Sequence, residues 1–339
     1  MLRLSTITFV TLVVLSLPAS YVDDATAADL SKRPDSWFGS DEGRKTLDCI
    51  LSWQSDHGDW PKNTDTTTKP YSGERSKLDG TFDNGATTGE LRALARAFTA
   101  TGDERYEKAF LKGFDHILKA QYANGGWPQY YPLREGYYTN ITFNDHCMVR
   151  LLEFLRDATV ADEYAFLDGN RRDAATQAIE RGVDCIVKCQ IVVNGTLTVW
   201  CAQHDEVTLA PAIARSYELA SLSGSESAGI LKYLMSIEKP TPEVIRAVKA
   251  GTAWFESARI EGIRIEKIGG DRQVITDDAA SPVWARFYEI ETNRPFFCDR
   301  DGVPKYKLNE IGNERRNGYA WYGNWGESLA DAYAVWPHR

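Results

Sequence analysis

The sequence predicts an all-α protein, an (α/α) toroid or barrel of helical hairpin repeats with long functional loops and few short strands. Three observations support this: related segments recur at nearly equal spacing, apolar residues mostly follow a helical period, and strand signals are rare. The recurring segments end at Gln54, Gln121, Gln190 and Glu256, which are 67, 69 and 66 residues apart. That period suits one pair of helices with its loops, and stacked pairs would bring equivalent loops to one side.

Apolar residues at intervals of three and four predict the individual helices. In chain order, these helices cover residues 89–100, 104–119, 147–158, 171–189, 227–235, 241–255 and 327–333. Capping residues precede two of them, Asp103 and Thr241. A further helix is expected to begin in the alanine-rich segment 211–218. Only residues 196–199 and 263–265 suggest strands. A plain helical array used for binding is the structural alternative.

The N-terminal residues 1–27 are predicted to be a signal peptide. Arg3 precedes an apolar run over residues 7–17, and Ala25 and Ala27 form a small-x-small cleavage pattern. The run is too short to span a membrane, and no other stretch resembles a membrane span. We therefore expect a secreted or periplasmic, monomeric protein with one domain over residues 28–339.

Composition narrows the function further. A net charge of −9 argues against nucleic-acid binding, although a polyanionic ligand stays possible if positive charge is local or a metal supplies it. The six cysteines allow disulfides but do not require them, and Cys185 and Cys189, four apart on a predicted helix, are interpreted as small buried apolar residues. Ten tryptophans and sixteen tyrosines, many beside polar residues, suit either a sugar-binding cleft or ordinary core packing.

Two loops that follow successive anchors carry acidic groups just before a predicted helix. Asp83 adjoins Asn84, and Asp145 adjoins Asn144, within the related segments Thr-Phe-Asp-Asn and Thr-Phe-Asn-Asp. Helix capping alone would explain either aspartate. Two hard oxygen donors from neighbouring loops would also suit a calcium ion, and a hydrolase would use such a pair as general acid and base. All three interpretations stay open at this point.

Basic residues are the second chemical signal. Arg215 lies in the predicted helix start after the third anchor, where an exposed ion pair with Glu218 or Glu206 is the simplest interpretation. The C-terminal segment mixes basic residues with aromatic ones, and Arg286 and Arg300 are among them. Guanidinium groups bind carboxylates with two hydrogen bonds while rings cover a sugar face, so this composition fits a sugar acid. For any single one of these residues, a solvated charged surface is the default interpretation.

From about residue 37 to the C-terminus, the chain resembles the pectate lyases of polysaccharide lyase family 10. The motifs that carry the resemblance are Asp83-Asn84-Gly85-Ala86-Thr87, Gly125-Gly126-Trp127-Pro128-Gln129-Tyr130-Tyr131, Thr142-Phe143-Asn144-Asp145, Trp200-Cys201-Ala202-Gln203-His204-Asp205, Ala214-Arg215-Ser216-Tyr217-Glu218, Trp284-Ala285-Arg286-Phe287-Tyr288 and Cys298-Asp299-Arg300-Asp301-Gly302. The resemblance implies a toroidal catalytic domain that cleaves polygalacturonate by β-elimination.

The resemblance also implies roles for particular residues. Asp83 and Asp145 fall on positions that hold Ca²⁺, Arg215 falls on the base that takes the C5 proton, and Arg286 and Arg300 fall on positions that bind substrate carboxylates. Asn84 is assigned to substrate binding, although capping and a supporting hydrogen bond are open for it. The products would be 4,5-unsaturated oligogalacturonides.

An arginine base is demanding, because arginine is normally protonated and its pKa would have to fall through nearby positive charge or burial. Two other functions stay open from the sequence. A glycoside hydrolase on a similar helical toroid would use Asp83 and Asp145 without a metal, and a non-catalytic uronate-binding protein would use the arginines and aromatic rings for capture alone.

Overall fold

The computed structural model describes residues 27–30 and 32–339. Apart from Ala27, the predicted signal peptide lies outside the described residues. The helices are α1 Ala27–Leu30, α2 Asp35–Phe38, α3 Asp41–Ser52, α4 Thr88–Thr101, α5 Glu104–Ala120, α6 Cys147–Val160, α7 Gly169–Cys189, α8 Gly224–Met235, α9 Pro242–Ser257, α10 Asn313–Gly318 and α11 Trp325–Val335. Among the described residues, no helix is both long enough and apolar enough to cross a membrane.

The three anchor glutamines have one structural role, which explains the repeat in the sequence. Gln54 Nε2 donates to the carbonyl of Gly58 in its own loop at 3.0 Å and to that of Ala109 on α5 at 2.8 Å. Gln121 and Gln190 make the corresponding pairs of bonds, reaching Ala178 on α7 and Ala247 on α9. Each amide therefore connects one anchor helix and its loop to the next anchor helix in the series α3, α5, α7 and α9.

The helices pack in pairs around a shared apolar core. Helix α4 packs on α5, α6 packs on α7, and α8 packs on both α9 and α11. Large rings such as Phe110, Phe114 and Phe154 lie fully buried between these helices. Burial of each such side chain stabilises the folded protein by about 1.5–3 kcal/mol. The helical layer is therefore the rigid base that supports the loops. All six cysteines are free and buried, including Cys185 and Cys189, for which the sequence favours burial.

The predicted all-α toroid was wrong, because the structure is only partly helical and pairs several short strands between its helices. About 47% of the described structure is helical. Its strands form six antiparallel pairs within the described residues. The strands are β1 Ile141–Thr142, β2 Val192–Val193, β3 Thr196–Leu197, β4 Gln203–His204, β5 Leu222–Ser223, β6 Ile263–Ile268, β7 Asp271–Thr276, β8 Trp284–Ala285, β9 Phe287–Tyr288, β10 Phe297–Cys298, β11 Pro304–Lys305 and β12 Tyr322–Gly323. Buried loops must pair their backbone N–H and C=O groups, and the buried ladders, such as β1 with β4, do so.

Most of these strands escape prediction because two residues cannot show an alternating pattern. Strand β1 pairs with β4, β5 with β9, β8 with β12, and β10 with β11. Strands β2 and β3 form a short hairpin, and β6 and β7 form a longer one around the Gly269-Gly270 turn. Two of the strands are predicted from the sequence, since residues 196–199 contain β3 and residues 263–265 form the first half of β6.

The expected helix over residues 211–218 does not form either. Ala212 N donates to Gln203 O at 3.0 Å, and Ala214 N donates to Glu218 O at 3.1 Å, so the segment folds back beside β4. Arg215 therefore lies in an irregular loop, where Glu218 N donates to its carbonyl at 2.7 Å. The next helix, α8, begins at Gly224.

Candidate functional site

Two short 3-10 turns, Asp83–Gly85 and Asn144–His146, lie against each other at the starts of α4 and α6. Asn84 (φ 54°) and Asp145 (φ 49°) both adopt the left-handed conformation, which asparagine and aspartate tolerate better than most residues. The repeat therefore equates Asn84 with Asp145, and Asp83 with Asn144. The two aspartates are not at equivalent positions: Asp83 is buried, whereas the Asp145 side chain is 37% exposed.

Asp83 is held from two sides. Its Oδ2 accepts a hydrogen bond from Lys62 Nζ at 2.5 Å and another from Gln129 Nε2 at 2.6 Å. Its Oδ1 accepts from the backbone N–H of Asn84 at 3.0 Å. Burial disfavours the Lys62 ammonium, but its hydrogen bond to Asp83 outweighs this and raises the pKa of Lys62. A cation therefore already neutralises Asp83.

Asp145 contacts the predicted substrate-binding arginine directly. Arg286 Nη2 donates to Asp145 Oδ1 at 3.0 Å, and Asn144 Nδ2 donates to Asp145 Oδ2 at 2.8 Å. Burial raises the pKa of Asp145, but the positive charges of Arg286 and Arg215 outweigh it and hold that pKa below its ordinary value. Asp145 is therefore a carboxylate within the field of two arginines.

Arg286 is positioned by the small sheets that sequence analysis missed. It lies between β8 and β9, where its N–H donates to Trp321 O at 2.7 Å and its carbonyl accepts from Gly224 N at 2.9 Å. Its guanidinium is almost fully buried and also donates to Glu226, a glutamate with no exposed surface. Burial disfavours the positive charge of Arg286. The negative charge of Glu226 outweighs burial and raises the pKa of Arg286.

Arg215 forms a tight ion pair with a buried glutamate. Arg215 Nε donates to Glu218 Oε2 at 2.6 Å, and its Nη2 donates to the other carboxylate oxygen. Tyr319 donates to the same carboxylate at 2.6 Å. Burial lowers the pKa of Arg215, but the hydrogen bonds and charge of Glu218 outweigh it and raise that pKa above its ordinary value. The partner is the one expected from the sequence, but Glu218 is buried and not exposed.

Two tyrosine rings connect the arginines. The guanidinium carbons of Arg286 and Arg215 lie 4.7 and 5.8 Å from the centre of the Tyr319 ring. Around the Tyr217 ring, the corresponding distances are 5.2 Å for Arg215, 5.7 Å for Arg300 and 4.6 Å for Arg315. Rings of this kind attract cations over their faces. Because exposed Arg300 pairs with exposed Glu314 at 3.0 Å, it lies at the rim.

The structure thus brings the six residues singled out in the sequence into one region. Asn84 lies at its edge, where its Nδ2 donates to Asn63 Oδ1 at 3.0 Å and its side chain caps no helix. Sequence reasoning missed Lys62, Gln129, Glu226 and Tyr319. Gln129 and Tyr319 lie within aromatic motifs that the sequence displays, whereas Lys62 and Glu226 carry no local signal.

The donor set of the two turns can be tested against calcium. Asp83, Asp145, Asn84 and Asn144 offer the carboxylate and amide oxygens that calcium prefers. Nowhere in residues 27–30 and 32–339 do three His, Cys, Asp or Glu side chains form a metal-binding group. The oxygens therefore fit calcium in kind, but Lys62 and Arg286 already engage Asp83 and Asp145, so an ion must compete with these cations or share the carboxylates with them.

A cavity of about 630 Å³ adjoins the turn at Asp83–Gly85 and is lined by Lys62, Asn84 and Glu90 among others. Glu90 is buried, its Oε1 accepts from Thr66 Oγ1 at 3.0 Å, and its Oε2 has no hydrogen-bond partner among the described residues. Burial raises the pKa of Glu90 to about 7. The carboxyl group is therefore largely protonated below neutral pH.

Glu90→Gln is expected to remove a pH-dependent loss of stability. Because the folded-state pKa of Glu90 lies above its unfolded value, its contribution is complete below about pH 4 and falls as pH rises through about 7. At pH 8 the variant should be more stable than the unchanged protein by up to roughly 3 kcal/mol, with a much smaller difference at pH 5. Urea unfolding at both pH values measures this. The exposed Glu180→Gln serves as control, and a difference that does not change with pH would contradict the prediction.

Similarity to known proteins identifies the family of this chain. Residues 54–330 match the family model described as pectic acid lyase. The chain is 37% identical to a family 10 polysaccharide lyase from Cellvibrio cellulosa, with a TM-score of 0.82 over 94% of this chain and 98% of that one. An aspartate-to-alanine mutant of a family 10 polysaccharide lyase from Cellvibrio cellulosa, in complex with trigalaturonic acid, gives 37% identity and a TM-score of 0.81 over 91% and 98%. No curated protein matches. The chain therefore belongs to the pectic acid lyases of polysaccharide lyase family 10, and it is a polysaccharide lyase of the pectate-lyase type.

Proposed function

We propose that this protein is an exported, monomeric pectate lyase that cleaves polygalacturonate by calcium-assisted β-elimination, with Arg215 as the group that accepts the C5 proton. The observation that carries the proposal is the group of arginines around Tyr217 and Tyr319, directly beside the carboxylate of Asp145. Such a surface suits a polymer of sugar acids. The similar lyase in complex with trigalaturonic acid supports the same substrate class.

Arg286 and Arg300 are assigned to substrate carboxylates. Arg286 still has a free donor, since its buried Nε makes no hydrogen bond to any described residue. Arg300 is 64% exposed, and its only ion pair with a described residue is that with exposed Glu314, which costs little to break. An arginine that binds the carboxylate at C5 withdraws charge from it and makes the C5–H bond more acidic. Asn84, at the edge of the same region, is assigned to substrate binding with them.

Asp83 and Asp145 are the residues that would hold calcium. When bound there, the ion would neutralise the substrate carboxylate and stabilise the negative charge that develops as the C5 proton leaves. Lys62 lies on the same Asp83 oxygen as an alternative cation. Asp145 is suited to bind the ion as a carboxylate. Burial raises its pKa, but the charges of Arg286 and Arg215 outweigh burial and hold that pKa below the ordinary value.

In the elimination, the C5–H bond breaks and its electron pair forms the C4–C5 double bond while the C4–O4 bond breaks. Arg215 takes the proton, and a solvent water donates a proton to the departing O4, which becomes a hydroxyl group. Glu218 opposes this role in the substrate-free protein because it raises the pKa of Arg215. The proposal therefore requires that substrate binding weakens the contact between Arg215 and Glu218.

The hydrolase interpretation loses its support on two grounds. The chain is a member of a lyase family, and neither aspartate is placed as a proton donor. A general acid needs a raised pKa, whereas that of Asp145 is lowered because its neighbouring arginines outweigh burial. Asp83 in turn bonds to a lysine at 2.5 Å.

The test is ultraviolet absorbance during incubation of polygalacturonate with the purified protein, first with calcium and then with a chelator. The expected result is a rising absorbance from the unsaturated product that stops when the chelator is added. New reducing ends without absorbance would disprove elimination, and absorbance that persists in the chelator would disprove the calcium requirement.

Calcium binding by Asp145 can be followed without any reaction. Titration calorimetry with calcium alone should show weaker binding in Asp145→Asn than in the unchanged protein. Asp331→Asn, on the exposed surface of α11, is the matched control. Equal affinities in all three proteins would remove Asp145 from the site.

A further inference from the structure

A second cationic and aromatic cluster lies next to the site, in the loop between α5 and β1. The Arg134 guanidinium carbon lies 4.1 Å from the centre of the Tyr130 ring and 5.7 Å from that of Tyr138. The rings of Tyr130 and Tyr138 meet edge to face at 5.2 Å, and Tyr137 lies 4.2 Å from Tyr138. We call Arg134, Tyr130, Tyr137 and Tyr138 the outer cluster. None of its members has a role in the proposed reaction.

The outer cluster is continuous with the reacting region through Lys62. The Lys62 ammonium lies 5.9 Å from the centre of the same Tyr130 ring and bonds to Asp83 at 2.5 Å. Lys62 Nζ and the Arg134 guanidinium carbon are therefore at most about 10 Å apart. The Tyr130 ring thus contacts two cations, Lys62 beside the turn at Asp83 and Arg134 farther from that turn.

The loop that carries the outer cluster is held in place by buried bonds. Gln129 N donates to Tyr138 O at 3.2 Å, and Thr81 Oγ1 donates to Gln129 O at 2.7 Å. The Gln129 side chain reaches Asp83 itself. Because the loop is bonded both to the segment before Asp83 and to Asp83, Arg134 has a defined position relative to the site.

Arg134 remains available to a ligand. Within the part of the chain that the structure describes, its only ion pair is with Asp79, and the side chains of the two residues are 38% and 55% exposed. Such exposed pairs contribute little, about 0–1 kcal/mol, so a second carboxylate can take over or share the guanidinium. Arginine presents five donors in a planar fork, and Asp79 does not use them all.

We propose that the outer cluster is an additional subsite for the substrate, in which Arg134 binds the carboxylate of a uronate unit away from the cleaved bond while Tyr138 or Tyr137 covers its sugar ring. This inference rests on the proposed function, since it takes the ligand to be an acidic polysaccharide. A polyuronate carries one carboxylate on each unit, so a row of separated cations with aromatic rings matches its repeat. Arg134 would thereby set how many sugar units the enzyme recognises.

The test compares unchanged protein and Arg134→Ala on oligogalacturonides of increasing length. Loss of one charge-assisted contact should raise KM about tenfold, or ~1.4 kcal/mol, but only for oligomers long enough to reach the outer cluster. We expect kcat to stay within twofold at every length. Arg134→Lys should show an intermediate loss, because lysine keeps the charge but lacks the planar fork.

Arg105→Ala is the matched control, since Arg105 also lies over a tyrosine ring and pairs with aspartates, but on α5 away from the site. Equal losses at all lengths, or no loss at any length, would overturn the subsite. If the unchanged protein cleaves none of the oligomers, the proposed function fails instead. In that case, calorimetry measures the affinity of the unchanged protein and of Arg134→Ala for the same oligomers. If the loss of affinity in Arg134→Ala does not depend on oligomer length, Arg134 does not form the proposed subsite.

Discussion

Arg215→Ala is expected to lower kcat on polygalacturonate by about 10²–10⁴-fold, the range for loss of a positioned general base. The KM should change far less, because Arg286, Arg300 and the calcium site are retained. Ultraviolet initial rates at saturating calcium give both constants. The tail arginine Arg294, whose guanidinium carbon lies 3.4 Å from the centre of the Tyr306 ring, is the matched control, and Arg294→Ala should keep its activity. A loss below tenfold in Arg215→Ala would remove Arg215 from the proton transfer.

A pH profile separates proton transfer from simple charge stabilisation by Arg215. If Arg215 must be neutral to accept the proton, kcat should rise with pH. Glu218 raises the pKa of Arg215 against the opposing effect of burial, so Glu218→Gln should shift that rise to lower pH. If Arg215 acts only as a cation, the profile of Glu218→Gln should keep the position seen in the unchanged protein. Thermal unfolding of Arg215→Ala and Glu218→Gln checks that both variants are still folded, since Glu218 is buried.

The helical layer could be predicted because its signals are local. Residues 104–119 were expected as a helix from their apolar period and from Asp103, and α5 covers Glu104–Ala120 with the Asp103 side chain accepting from Arg105 N. The glutamine repeat likewise follows from a contact that every unit makes in the same way. Short paired strands are different, since β1 and β4 are two residues each and pair across about sixty positions.

The same distinction applies to the candidate site. Asp83, Asp145 and Arg215 stood out because they lie in motifs, and the structure places them in one region, although their roles remain predictions. The aligned segments Thr-Phe-Asp-Asn and Thr-Phe-Asn-Asp already pair Asn84 with Asp145, and the backbone agrees, since both residues adopt the left-handed conformation. Glu226 was missed because it acts through a partner sixty positions away in the chain. An isolated glutamate near the start of a helix is most simply interpreted as an exposed residue, and only the fold shows it buried.

Glu226→Gln is expected to destabilise the protein by about 3–5 kcal/mol, the usual cost of removing one partner from a buried ion pair. Glu226 has no exposed surface and receives hydrogen bonds from Arg286 and from Ser223 Oγ. Its loss leaves a buried guanidinium with only the partly exposed Asp145 as counter-charge. Urea unfolding near pH 7 measures the difference. Glu314→Gln is the control, because Glu314 also pairs with arginines but is 61% exposed, and there the loss should stay below about 1 kcal/mol.

The double variant Glu226→Gln, Arg286→Met tests whether Glu226 matters for function because it stabilises the charge of Arg286. Removing both charges from a buried pair is often neutral, so the double variant should recover much of the stability that the single variant loses. Its lyase activity should stay low, since no guanidinium remains beside Asp145 to receive a substrate carboxylate. Recovered stability with absent activity would show that Glu226 keeps a buried cation in place for the substrate. If stability does not recover, Glu226 stabilises the start of α8 independently of Arg286. Asp145 would then be the carboxylate that stabilises the buried guanidinium of Arg286.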